Sequence, residues 1–331
     1  SRVCGHRSIA ARAYESALSF SVLTRVPSRS KTIVVIATTS PNRIRLASIP
    51  EVSVDIVYAK SFWEMDMESA ADPMDAFVAR VAADGFDGTE MFLPLISDPP
   101  QRVLELHEKY GLSHRIIDIV TEGDSPADHR TSFDAAFERA LAYQPDLINS
   151  HTGRDIFSFA DNVALYRHAA ARSADAGVAL VHETHRYRPT YSTIETRRYL
   201  EAVPDLLLNA DLSHWMVVHE SDLSDQEDNV EIALQRSRHI HARVGFEEGP
   251  QVNDPRAPEW AAHVERHIEL WRRVVDHCRT NGLATLAITP EFGPHPYVPT
   301  LPYTVSPVVD VWEVNVFMKD MLRDRLAPHR R

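Results

Sequence analysis

Several short stretches of this 331-residue chain carry residue types able to do chemistry at close quarters. "VHETHR" sets Glu183 and His185 two residues apart, and "NADLSH" brings Asn209, Asp211 and His214 together. "HIHAR" holds His239, His241 and Arg243 at alternate positions, and "ITPEFG" supplies Glu291. Glu90 in "GTEMF" and His151 in "INSHTG" come earlier. Singly, each has an ordinary reading: a rim carboxylate, a helix-capping partner, a hydrogen-bonded histidine. Together they are harder to dismiss, because carboxylates packed into one place repel one another unless a cation holds them. Three carboxylates and an imidazole suit one divalent ion, Mn²⁺ or Mg²⁺ first, with Co²⁺ or Zn²⁺ admissible. The two cysteines, Cys4 and Cys278, form no ligand pattern, which argues against structural zinc and against a disulfide framework.

Such residues need elements to position them. Each lies at the end of a short apolar run, and eight such runs alternate with longer amphipathic stretches. The strand candidates are 54–59, 88–93, 115–120, 146–151, 179–184, 206–211, 239–244 and 285–291. Helical patterns stand between them, as in "PMDAFVARVAADG", "FDAAFERALAYQ", "NVALYRHAAARSADAG" and "WAAHVERHIELWRRVVDHCRTNG". Gly85, Gly111, Gly177 and Gly282 are placed as C-terminal stops, and "VVDVWEVNVFMKDMLRDRL" closes the series as a last helix. Strict βα alternation over this length predicts a (β/α)₈ TIM barrel, whose chemistry sits at the C-terminal ends of its strands. A doubly wound sheet fits less well, since no glycine-rich phosphate turn follows the first strand.

The first fifty residues differ from the rest, with eight basic residues against the single acid Glu15. Their Arg- and Ser-rich composition resembles an organelle transit peptide, and a loosely docked extension reads equally well. The expected division is therefore a leader over 1–50 and a barrel over 51–331, in an intracellular protein, cytoplasmic or organellar according to the leader. The net charge of −12 opposes a general nucleic-acid binder. No apolar run reaches the length of a membrane span, so no membrane partner is expected.

The order Glu183, Asp211-x-x-His214, His239-x-His241 and Glu291 resembles the xylose-isomerase-like TIM-barrel superfamily, and within it the sugar and sugar-phosphate isomerases and epimerases such as ketose 3-epimerases. The resemblance spans about residue 53 to residue 326 and is specific in the last four strands. It implies that Glu183, Asp211, His241 and Glu291 bind one divalent metal and that His214 contacts substrate. The pattern also departs: ketose 3-epimerases carry an Arg six residues after the ligand histidine, where this chain has Glu247, while Arg243 lies two residues on.

The resemblance implies proton transfer beside a carbonyl through an enediolate, with Glu183 and Glu291 as base and acid. Arg243, His151, Glu90, His185 and Gln251 are the further expected substrate contacts. The long loops "GFEEGPQVNDPRAPEW" and "GPHPYVP" would lie over the site and bring Arg256, His295 and Tyr297 near. The substrate would be a small carbohydrate-like molecule, and a homodimer is one admissible assembly. Hydride-shift isomerisation fits less well, since it needs a pocket lysine and only Lys60 stands near a strand end. Two rivals remain: metal-dependent hydrolysis of the endonuclease IV kind, and a non-catalytic sugar-binding barrel.

Overall fold

The computed structural model describes residues 54–64 and 70–327. Eight parallel strands among them close into one barrel in chain order. These are β1 (Asp55–Ser61), β2 (Gly88–Phe92), β3 (His114–Val120), β4 (Leu147–His151), β5 (Ala179–Glu183), β6 (Leu208–Ala210), β7 (Ser237–His241) and β8 (Thr285–Thr289). Closure comes from β1 pairing with β8, from Asp55 opposite Thr285 to Tyr58 opposite Ile288. Around the barrel run α1 (Pro73–Ala83), α2 (Pro100–Tyr110), α3 (Pro126–Leu141), α4 (Phe159–Ala176), α5 (Thr193–Ala202), α6 (Ser213–His219), α7 (Glu227–Arg236), α8 (Ala261–Thr280) and α9 (Val311–Arg325). The expected (β/α)₈ barrel is the fold. The extension expected over residues 1–50 lies outside the described residues.

Local chemistry sets the boundaries. Gly85, Gly111, Gly177 and Gly282 all take positive φ, between 67° and 73°, as helix stops. Helix α3 begins well before the pattern at Phe133, because Ser125 and Asp128 form a capping box around Pro126. Strand β7 starts at Ser237, two residues earlier than its apolar pattern suggests, while β6 is only three residues long, with a register shift against β7. The short α6, starting at Ser213, carries His214 in its first turn.

Inside the barrel the side chains form layers, because strand residues alternate in and out. Val57, Ala59, Ile116, Leu147, Val181 and Ala287 make an apolar floor, with Leu207 packed against it. Two residues further along these strands come Ser61, Asp118, Asn149, Glu183, Asn209 and Thr289, all buried. The interior thus changes from hydrocarbon to polar groups within one step of the pleat. Lys60, of opposite parity, does not enter it: its Nζ donates to Ser61 O and lies 4.5 Å from the Trp312 ring centroid on α9. No described helix is long and apolar enough to cross a membrane.

Candidate active site

Strand ends β5 to β8 bring Glu183, Asp211, His241 and Glu291 together, with one ligand atom from each lying within 4.8 Å of the others. All four are buried. His241 Nδ1 stands 2.9 Å from Glu291 Oε2 and 3.4 Å from Glu183 Oε2. Its Nε2 faces Glu90 Oε1 at 2.9 Å, so this nitrogen donates and Nδ1 is left to face the two other carboxylates. Burial alone would lower the imidazole's pKa, but Glu291, Glu90 and Glu183 push it well above the usual value. A proton on Nδ1 does not satisfy the arrangement, however. Nδ1 and Glu291 Oε2 stand 2.9 Å apart, yet neither makes a hydrogen bond of good geometry among the described residues. A nitrogen lone pair and carboxylate oxygens that converge without hydrogen bonding fit a small cation between them.

The four groups are held differently. Glu183 Oε2 accepts from Asn149 Nδ2 at 3.0 Å and faces His151 Nε2 at 3.2 Å. Burial would raise this carboxyl, yet His151 and His241 keep it well below the usual carboxylate range. Asp211 Oδ1 accepts from Ser213 N at 3.1 Å and from the Ser213 hydroxyl. Burial pushes the Asp211 carboxyl up to about 6, against the pull of the Arg243 guanidinium. Glu90 takes both histidines of β7, His241 as above and His239 Nε2 at 3.1 Å, and sits behind the quartet.

His214 adjoins Asp211, with Nε2 at 3.5 Å from Oδ2. Arg243 Nη2 donates to that same Nε2 at 2.8 Å, so Nε2 accepts and Nδ1 bears the proton. Burial, with His185 and Arg243 nearby, pushes its pKa well down, so the ring is neutral. Nδ1 has no partner among the described residues and is available as a donor. His185 packs its ring 3.9 Å from that of His214, and burial brings its pKa down to about 3. Arg243 also reaches the Asp211 carboxylate, Glu291 Oε2 at 3.4 Å and the Tyr297 ring at 4.6 Å.

Other expected contacts have partners outside the quartet. Gln251 donates from Nε2 to Gly293 O and accepts from Gly293 N, so its amide clamps one loop to another. Arg256 forms a two-pronged pair with Asp254. His295 lines a cavity of about 680 Å³ with Arg80 and Trp312, beside the β8–α9 connection. A cavity of about 790 Å³, lined by Arg167, His182, Arg236 and Arg238, adjoins the start of β7, away from the carboxylates.

Two buried groups were not singled out from sequence. Asp118 lies near Glu183 and His151, with Oδ1 unpartnered among the described residues. Burial, then Glu90 and Glu183, push its carboxyl well above the usual range. Its signal is the lone carboxylate inside "RIIDIV", two residues after the inward Ile116. Asn149, the Glu183 donor, carried no such signal.

Residues 78–244 match the family model described as xylose isomerase-like TIM barrel. Among solved structures, a D-allulose 3-epimerase from Methylomonas sp. is similar at 16% identity and a TM-score of 0.56, over 83% of this chain and 98% of that one. A 3-keto-D-glucoside 4-epimerase from E. coli gives 12% and 0.53, over 82% and 100%. Endonuclease IV from Thermus thermophilus gives 14% and 0.50, over 82% and 98%. At these identities the likeness is one of fold. No curated protein matches the chain.

Proposed function

This chain belongs to the xylose isomerase-like TIM-barrel family, and we propose that it is a divalent-metal-dependent isomerase or epimerase of a sugar or related hydroxy-carbonyl compound. The observation that carries the reading is the convergence of Glu183 and Glu291 on one imidazole nitrogen, each oxygen within 3.4 Å of it. A bound Mn²⁺ or Mg²⁺ would polarise the substrate carbonyl and lower the cost of removing the neighbouring proton. Glu183, Asp211, His241 and Glu291 would hold it.

The chain's own groups supply the rest. Glu183 and Glu291 exchange the α-proton, one taking it and the other returning it, so that an enediolate lies between the two steps. His214 Nδ1–H hydrogen-bonds the oxygen on which charge develops. Its neutrality matters, because a neutral imidazole donates to the oxygen without surrendering its proton. Tyr297 and His185 wall the space beside it, keeping water from the reacting carbon.

The experiment is solvent exchange. The Mn²⁺-loaded protein is incubated in D₂O with a panel of ketoses and hydroxy-keto acids, and deuterium at the α-carbon is read by NMR. Exchange in at least one compound, abolished by chelation and by Glu291→Gln, is expected. Turnover with complete retention of an α-deuterium label would exclude the solvent-exchanging enediolate. A second reading, phosphodiester hydrolysis, is favoured by one observation: Glu183 also belongs to a cluster with His185 and His214 and to another with Asp118 and His151. Such sharing would suit several ions. Two or more metals per chain, with cleavage of abasic DNA, would replace the isomerase reading.

A further inference from the structure

Arg243 stands in a place that the four-ligand reading leaves unexplained. It follows His241 by two residues, just past the end of β7, and its side chain turns into the mouth beside His241's neighbours. The side chain is buried, and its guanidinium touches the site on several sides at once. Nη2 donates to the Asp211 carboxylate and to His214 Nε2, Nε donates to Ser213 Oγ at 3.2 Å, and Nη1 lies 3.4 Å from Glu291 Oε2. The Tyr297 face closes the remaining side, 4.6 Å from the ring centroid.

Asp211 is therefore already hydrogen-bonded to a fixed positive charge, and Glu291 lies close beside the same charge. A guanidinium keeps its proton in proteins, so this charge cannot be titrated away. From these contacts we infer that Arg243 is an internal counterion that competes with the divalent cation for Asp211 and Glu291. The inference rests on the metal reading proposed above. Two consequences follow. Without metal, Arg243 offsets the repulsion among buried carboxylates and keeps the barrel folded. With metal, like charges in a poorly screened interior oppose each other, so affinity is held below what the same ligands would give alone.

The test uses Arg243→Gln in the full chain, with Mn²⁺ alone as the probe. Titration calorimetry is expected to show Mn²⁺ binding about 10-fold to 10²-fold tighter than in the unsubstituted protein, a fold-change of the size expected for removing a close like charge. In EDTA the variant should melt at a lower temperature, and Mn²⁺ should restore it. Equal or weaker Mn²⁺ binding by the variant, with unchanged melting in EDTA, would overturn the competition while leaving the metal site standing. Absence of Mn²⁺ binding in both proteins would instead remove the metal reading, and the competition with it. If Arg243→Gln gives no soluble protein, Arg243→Met decides, since it also removes the charge while keeping a long unbranched side chain. Mn²⁺ binding tighter than in the unsubstituted protein supports the inference, and equal or weaker binding overturns it.

Discussion

Glu291 and Glu90 are one residue type in two different surroundings. Glu291 Oε2 is buried without a hydrogen-bond partner among the described residues, which leaves it open to a cation and to a substrate proton. Glu90 is engaged on both oxygens by His239 and His241. On the proposed reading, Glu291→Gln keeps an oxygen ligand but loses the base. It should retain part of the Mn²⁺ affinity while turnover falls by about 10² to 10⁴-fold, the usual scale for an acid–base group. Glu90→Gln should do the converse. Its neutral amide oxygen still accepts from His241 Nε2 but without the carboxylate's charge, and weakening such an outer partner typically costs about 10 to 100-fold in metal binding. Calorimetry and initial rates on the same preparations separate the two effects. The sequence made the quartet legible because each member sits at a strand end with the right parity. It did not show that Glu90 stands behind His241, since that depends on β2 lying across the barrel from β7. Nor did it show that Gln251 is held by Gly293, because two loops distant in sequence meet there.

At the scale of elements, the site depends on how closely the segment after β7 approaches α6. A Cβ on Gly245 would come within 2.7 Å of both Ser213 Cα and Ser213 Cβ, and within 2.9 Å of its carbonyl oxygen. These are backbone and near-backbone atoms, so they cannot swing aside. Ser213 in turn donates to Asp211, and His214 follows it in the first turn of α6. Gly245→Ala should therefore destabilise the fold by roughly 1–3 kcal/mol, as overpacking does. It should also weaken Mn²⁺ binding, because Asp211 loses its fixed partner. Thermal melting and calorimetry test the pair of effects, and a variant with unchanged Mn²⁺ affinity would show that α6 adjusts independently. The apolar runs place every strand to within three residues, because such runs are strong signals. It was vaguer on α5, α6 and α7, which are short and owe their ends to caps and packing rather than to a long amphipathic pattern.

At the scale of the whole molecule, the barrel holds neutral histidines in its outer packing as well as in its mouth. His267 on α8 is buried, donates from Nδ1 to His263 O and accepts from Gly245 N at 3.3 Å. Burial brings its pKa down to about 4, against the smaller upward effect of the His263 carbonyl. His182, packed edge-on to Tyr166, is brought down to about 3 for the same reason. In the unfolded chain a histidine takes up its proton near pH 6.5. Between that value and the folded pKa, the unfolded state binds protons that the folded state does not. The stability these groups contribute is thus complete above about pH 6.5 and is lost as pH falls towards 4. For His267 alone the loss over that span amounts to at most about 3 kcal/mol. His267→Gln offers a test, because an amide can still accept from Gly245 N–H and donate to His263 O, yet does not titrate. The melting temperature of the variant should fall less steeply between pH 6.5 and 4, with the slope reduced by about one proton. Equal slopes in the two proteins would move the acid sensitivity to other groups. Because His267 braces Gly245, and Gly245 packs on Ser213, protonation here should loosen the α6 side of the site before the barrel itself opens.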